Sequence, residues 1–173
     1  MTQFESLVVG GEIEGAPFAP TRETIREFCD ASLDYNPLHL DDDYMQSSFG
    51  KTSFGGIIMH GMTNFGLLTR MVTDWAHAHG GVHRRLETRW RAPVKPGDVI
   101  TPRARITRTV TTRKSRWAIL DVEMRNDRGE TIATGEAMVE FPTQTRSAGA
   151  SGPAGCEEGG GTTIPASRPA PRT

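Results

Sequence analysis

A chain of 173 residues with 20 basic and 21 acidic side chains, formal net charge −1, is one domain by default and has no electrostatic case for nucleic acid or an anionic membrane surface. Its first residues lack a basic start followed by an apolar run, and no stretch approaches the roughly 20 apolar residues of a membrane span. Cys29 lies in an apolar-periodic segment and Cys156 in a Gly-rich one. They are not expected to pair, and free thiols suit a reducing cytoplasm.

In chain order, Glu12 to Phe18 reads as a short strand. Thr21 is a candidate N-cap, with Glu23 in the first turn where the helix dipole favours an acid. Ile25, Phe28, Cys29 and Leu33 follow helical spacing, so a helix of about three turns should lead directly to Asp34. Asp41-Asp42-Asp43 starts a second, short helix through about Ser47. Phe49 to Gly56, with three glycines, is expected to be a loop. Beyond Ile57-Ile58-Met59-His60-Gly61-Met62, the residues Phe65, Leu68, Met71, Val72, Trp75 and Ala76 form a wide apolar stripe, and Gly80-Gly81 closes that helix. It is the longest and most apolar helix, so it should be the buried one. His77 and His79, two apart on it, point in different directions and should face solvent.

The remainder reads as β. Val82, Arg84, Leu86, Thr88 and Trp90 alternate with His83, Arg85, Glu87, Arg89 and Arg91. Pro96-Gly97-Asp98 is a turn, and Val99 to Val110 a second long strand. Trp117 to Asn126 follows, with Ala118, Leu120, Val122 and Met124 on one face. Asn126-Asp127-Arg128-Gly129 is a hairpin turn into Glu130 to Phe141. Long strands joined by tight turns, after one long apolar helix, define an α+β fold with a curved antiparallel sheet wrapped on a central helix. From Thr143 onward Ser, Gly, Pro, Ala and Thr dominate. That composition cannot bury enough surface to offset the entropy of ordering it. The expected domain is 1–142, and 143–173 the expected disordered tail.

The stretch that carries chemistry is Asp34-Tyr35-Asn36-Pro37-Leu38-His39. Pro37 fixes its own backbone and pushes Asn36 out of the helical region. The chain must bend here, and Asp34 and His39 can converge from the two sides of a rigid elbow. An acid and a base on a stiff turn are what proton transfer needs. On spacing alone a helix end followed by a surface turn remains open, because Asn-Pro is an ordinary turn dipeptide. Asp41-Asp42-Asp43 beside His39 is better read as helix capping than as a metal site, since no second His sits at ligand spacing; no metal is expected. Arg84, Arg85, Arg89, Arg91 and Lys95 form a basic run, either a solvated strand face or a contact for phosphate.

Ser32-Leu33-Asp34-Tyr35-Asn36-Pro37-Leu38-His39-Leu40-Asp41 and Phe54-Gly55-Gly56-Ile57-Ile58-Met59-His60-Gly61-Met62 together resemble the MaoC-like dehydratases and (R)-specific enoyl-CoA hydratases. Pro93-Val94-Lys95-Pro96-Gly97-Asp98, Gly129-Glu130 and Thr134-Gly135-Glu136-Ala137 add to the likeness, which covers about 1–142. The resemblance implies a single hot-dog domain in a homodimer or larger homo-oligomer, an edge-to-edge arrangement that also removes an exposed sheet edge. It implies Asp34 and His39 as the catalytic pair holding one water against the 2,3 double bond of an enoyl thioester, with Asn36 supporting the elbow. The Gly61 backbone N–H, at the positive end of a long helix, is the expected oxyanion donor. His60, Gly56, Ile58 and Leu33 are the expected substrate neighbours. The implied partner is an acyl-CoA or acyl-carrier-protein thioester, coenzyme A entering as part of the substrate and no cofactor being needed. One departure is Leu33, where many members carry Gly; a larger side chain there would reshape the pocket wall. Two rivals stand beside the hydratase reading: a hot-dog thioesterase, and an acyl-thioester-binding module without activity.

Overall fold

The computed structural model describes residues 3–47 and 54–143. Beyond Thr143 the tail expected over 143–173, with Cys156, and most of the expected 49–56 loop therefore lie outside the described residues. Ahead of the first strand is a 3-10 turn, Gln3–Ser6, that the residue pattern did not announce; it seats Phe4 against Phe141 with ring centroids 5.3 Å apart.

Strand β1 (Glu12–Glu14) is shorter than expected. Its pairing partner is β3 (Ile100–Thr111), and the pairing resumes at Phe18 after Ala16-Pro17, where proline has no N–H to give. Helix α1 (Arg22–Ser32) starts as expected at Thr21. Thr21 accepts from the Thr24 N–H while Thr24 accepts from the Thr21 N–H, a reciprocal cap. Helix α2 (Asp42–Gln46) is capped by Asp41, whose Oδ1 accepts from the Tyr44 N–H at 2.9 Å. Helix α3 (Gly61–Ala78) runs 18 residues and buries Leu68, Met71, Val72 and Ala76.

The strands β2 (Val82–Trp90), β4 (Arg116–Asn126) and β5 (Thr131–Phe141) complete one antiparallel sheet of order β1-β3-β4-β5-β2. The residues expected on one face of β4 (Ala118, Leu120, Val122 and Met124) are buried, and pack with Ala137 and Val139 of β5 and the apolar stripe of α3. This is the expected α+β architecture, with the sheet curled on its central helix.

Two local readings are corrected. The clean alternation expected for β2 is broken by a bulge between His83 and Arg85. The extra residue turns His83 toward α3, where its ring meets Thr73 Oγ1 at 3.1 Å. His79 is half-buried rather than solvent-facing; its ring lies 4.9 Å from that of Trp75, and its Nδ1–H donates to the Trp75 carbonyl at 2.8 Å. No helix among the described residues is long and apolar enough to cross a membrane.

Candidate active site

Two short segments build the site. The first is the elbow. Helix α1 ends at Leu33 in the left-handed conformation, φ 60 and ψ 23, which turns the chain sharply before Asp34. The Asn36 side chain then caps the 3-10 turn Pro37–His39, its Oδ1 accepting from the Leu38 N–H at 3.2 Å. The Asn36 backbone N–H donates to Asp34 Oδ1, also at 3.2 Å. Asn36 thus holds the elbow with its side chain and the Asp34 carboxylate with its main chain.

The second segment runs from Gly55 to Gly61. The Ile57 N–H donates to Asp42 Oδ1 at 3.1 Å, the Ile58 N–H to the Leu38 carbonyl at 3.1 Å, and the Met59 N–H to the Val94 carbonyl at 2.7 Å. These bonds lay the segment against the elbow. The Asp42 carboxyl is held below the usual carboxylate range, first by that Ile57 N–H and then by Arg22.

His39 is buried, and its Nδ1–H donates to the Ile58 carbonyl at 2.7 Å. A carbonyl only accepts, so the proton sits on Nδ1 and Nε2 keeps a free lone pair. That Nε2 lies 4.0 Å from Asp34 Oδ2. A water oxygen placed about 2.8 Å from each would subtend about 90° between them, so one water fits as a bridge.

His60 lies behind this pair, 2 % exposed. Its ring stacks on His39 with centroids 3.6 Å apart and 21° between planes. Its Nε2–H donates to the Asp34 carbonyl at 3.3 Å and lies 4.0 Å from Asp34 Oδ2 and 3.7 Å from Cys29 Sγ. Burial pushes the imidazole below its ordinary value, and neighbouring His39 adds to this against the Asp34 carbonyl, so the ring is neutral near pH 7. Cys29, buried on the site-facing side of α1, is pushed up by burial first and then by Asp30 and Asp34; it is a packed thiol, not a nucleophile.

The ligand atoms of Asp34, His39 and His60 lie within 4.8 Å of one another. His39 Nε2 and His60 Nε2 each lie 4.0 Å from Asp34 Oδ2. With its proton on Nε2, donated to the Asp34 carbonyl, His60 has no lone pair there for a metal ion.

The expected substrate neighbours are placed as follows. His60 forms the layer behind His39. Ile58 contributes through its carbonyl. Gly56, at φ 153, lies with its Cα hydrogen toward Asp42 Oδ1, a Cβ there reaching 3.3 Å from that atom. Leu33 is 76 % exposed in the single chain; the left-handed turn it occupies is the physical reason a glycine suits that position.

Gly61 opens α3. His60 offers no side-chain cap, and the first N–H groups of a helix have no helical acceptor. The Trp90 indole lies over this residue, close enough that a Cβ on Gly61 would come within 3.1 Å of Trp90 Cε2. The basic run is mostly engaged away from the site. Arg84 pairs with Glu140 at 2.8 Å, Arg85 with Glu87, and Arg91 Nε–H donates to Thr134 Oγ1 at 3.2 Å. Arg89 and Arg91 line a hollow of about 820 Å³ on the sheet, together with strand residues such as Arg103 and Glu136; it includes none of the elbow residues.

A curled sheet on one central helix defines a hot-dog protein, and at the helix start a carboxylate and an imidazole share a water-sized gap. The MaoC-like domain matches residues 7–127, and the chain belongs to that family. It is 28 % identical over 141 residues to an (R)-specific enoyl-CoA hydratase of Rhodospirillum rubrum, covering 77 % of this chain and 91 % of that protein. The solved (R)-hydratase of A. caviae, described as involved in PHA biosynthesis, superposes with a TM-score of 0.68 at 27 % identity, over 80 % of this chain and 99 % of that one. An Archaeoglobus protein described as a monoamine oxidase regulatory protein gives 0.70 at 27 % identity, over 82 % and 95 %.

Proposed function

We propose that this protein is a hydro-lyase that adds water reversibly across the 2,3 double bond of an enoyl thioester, giving the (R)-3-hydroxyacyl thioester. The observation that carries the reading is the pair His39 Nε2 and Asp34 Oδ2, 4.0 Å apart, with the His39 tautomer set by the Ile58 carbonyl. In this reading, water bridges the pair. Its oxygen bonds to C3, one of its protons passes to His39 Nε2, and the dyad returns a proton to C2, Asp34 serving as the relay. One O–H bond and the C2–C3 π bond break, one C–O and one C–H bond form, and the dyad ends as it began. Negative charge gathers meanwhile on the thioester oxygen, where the Gly61 N–H and the α3 dipole would receive it. The substrate carrier is coenzyme A or an acyl carrier protein. The chain works as a homodimer or larger assembly, because β2 is an unpaired sheet edge bearing exposed Val82 and Trp90. A cytoplasmic setting suits the free thiol of Cys29.

Crotonyl-CoA tests this. Loss of enoyl absorbance without release of thiol is expected, and thiol release would favour hydrolysis of the thioester instead. Asp34→Asn and His39→Ala should each lower kcat at least about a hundredfold. Unchanged turnover in both would remove the reading.

A further inference from the structure

His60 is an unusual residue to bury. A leucine or phenylalanine would fill the same space beneath His39 without bringing polar atoms into it. The imidazole leaves Nδ1 buried with no hydrogen-bond partner among the described residues, a condition that folded proteins normally avoid. The other nitrogen is fully engaged. Its proton points at the Asp34 carbonyl at 3.3 Å.

That contact matters because of what else holds Asp34. Its side chain is 53 % exposed. Its backbone N–H meets Ser32 Oγ at 3.3 Å, and its Oδ1 accepts from Asn36 at 3.2 Å. Both partners lie within two residues of it along the chain. Among the described residues the hydrogen bond from His60 is the one that reaches Asp34 from elsewhere in the fold. It arrives from the residue just ahead of α3, the longest and best-buried helix, and grips the residue that follows a strained left-handed turn. The same ring stacks on His39 at 3.6 Å, and its far face meets Phe28, with centroids 4.6 Å apart. One side chain therefore touches both members of the pair and relates each to a rigid element.

We propose that His60 is a positioning residue: its Nε2–H, donated to the Asp34 main-chain carbonyl while its ring lies under His39, sets the separation of the Asp34 carboxylate and the His39 imidazole. The role is carried by the N–H and not by exchange of a proton. The neutral ring presents a donor that stays in place beneath the dyad, and it adds no positive charge against His39. The assignment rests on the hydratase reading only for what the separation is used for.

The test compares His60→Leu, which removes the N–H and keeps an apolar filling, with His60→Gln, whose amide N–H can reach the place of Nε2 and does not titrate. A misplacement of about 1 Å in a reacting pair costs on the order of a hundredfold. His60→Leu should therefore lose at least about thirtyfold in kcat with KM within about threefold, while His60→Gln stays within about fivefold of the parent. The pH profile of kcat in His60→Gln should overlay that of the parent. Wild-type kcat in His60→Leu overturns the proposal, as does a His60→Gln variant as poor as His60→Leu, or one that loses a limb of the pH profile. If His60→Leu does not fold, His60→Phe takes its place, keeping a stacked ring without the N–H.

A second arm needs no turnover. With carboxyl-labelled aspartate at one fixed pH, the Asp34 carboxyl NMR resonance should move in His60→Leu and match the parent in His60→Gln. If the parent shows no hydration of any enoyl thioester, the proposed reaction fails, and that resonance alone decides the role of His60. An Asp34 resonance unmoved in His60→Leu overturns that role.

Discussion

Leu33 allows a sharp test of the elbow. It ends α1 at φ 60, the one non-glycine positive φ among the described residues. That conformation sets Cβ against the following carbonyl and costs roughly 1–2 kcal/mol for a residue with a side chain. Glycine would release the strain but would bring about 0.5–1 kcal/mol of extra chain entropy to the unfolded state. The net gain from the backbone then lies between about 0 and 1.5 kcal/mol, with a midpoint of about 0.75 kcal/mol. Against it stands the lost burial. With 76 % of its surface exposed, Leu33 holds about a quarter of the ~2 kcal/mol that a fully buried leucine contributes, roughly 0.5 kcal/mol. Leu33→Gly should therefore equal or slightly exceed the parent. Leu33→Ala loses the same burial, keeps the strain, and should fall about 0.5 kcal/mol below it. Urea midpoints at one fixed protein concentration measure both, and each kcal/mol corresponds to about 2–4 °C in Tm for a domain of this size. The decisive quantity is the order of the two variants. If Leu33→Gly proves less stable than Leu33→Ala, the strain argument is wrong. If both lose more than about 2 kcal/mol, Leu33 is buried against another subunit and its exposure in the single chain misleads.

Gly61→Ala drives a methyl to 3.1 Å from Trp90 Cε2. It should cut kcat about tenfold or more by shifting the N–H at the helix start, and Trp90→Ala in the same chain should recover part of that loss; no recovery would separate Trp90 from the effect. Gly135→Ala sets a Cβ onto the Glu87 carbonyl oxygen, backbone against backbone between β5 and β2. A loss of at least about 3 kcal/mol is expected, and a variant of parental stability would contradict the strand pairing. Asp98 is pushed up by burial, but the Arg128 guanidinium at 2.7 Å and the Lys95 N–H at 2.9 Å outweigh this and hold its carboxyl below the ordinary value. Its contribution to stability is present above about pH 4, where the unfolded carboxyl is ionised, and is lost as pH falls through the lower folded value. Asp98→Ala should cost about 1–2 kcal/mol at pH 7, allowing for an Arg128 that is largely in water, and markedly less at pH 2–3. An equal cost at both would refute the assignment.

Several elements were legible because their causes are local. The Thr21 cap, the apolar stripe from Leu68 to Ala76 and the alternation from Ala118 to Met124 each need only neighbours within a few residues. The elbow belongs with them, since Pro37 restricts Asn36 and the Asn36 side chain closes its own turn. Where a pattern was read too far, a side-chain hydrogen bond overrode it. The bulge at His83 serves a bond to Thr73 on α3, and His79 folds back on Trp75.

The placing of the Asp34 carboxylate and the His39 imidazole on one stiff turn was thus written in the chain, along with the helix that opens at Gly61. What the residues could not specify is how the two segments meet. The His39 tautomer depends on the Ile58 carbonyl, 19 residues away, and the placement of Asp34 on His60, 26 residues away. Those contacts arise only when the strip from Ile57 to Met59 is laid between the Leu38 carbonyl and the Val94 carbonyl. Side-chain chemistry follows from residue identity and short-range sterics. A distance of 4.0 Å between two side-chain atoms follows from packing across the fold, which sequence spacing does not encode.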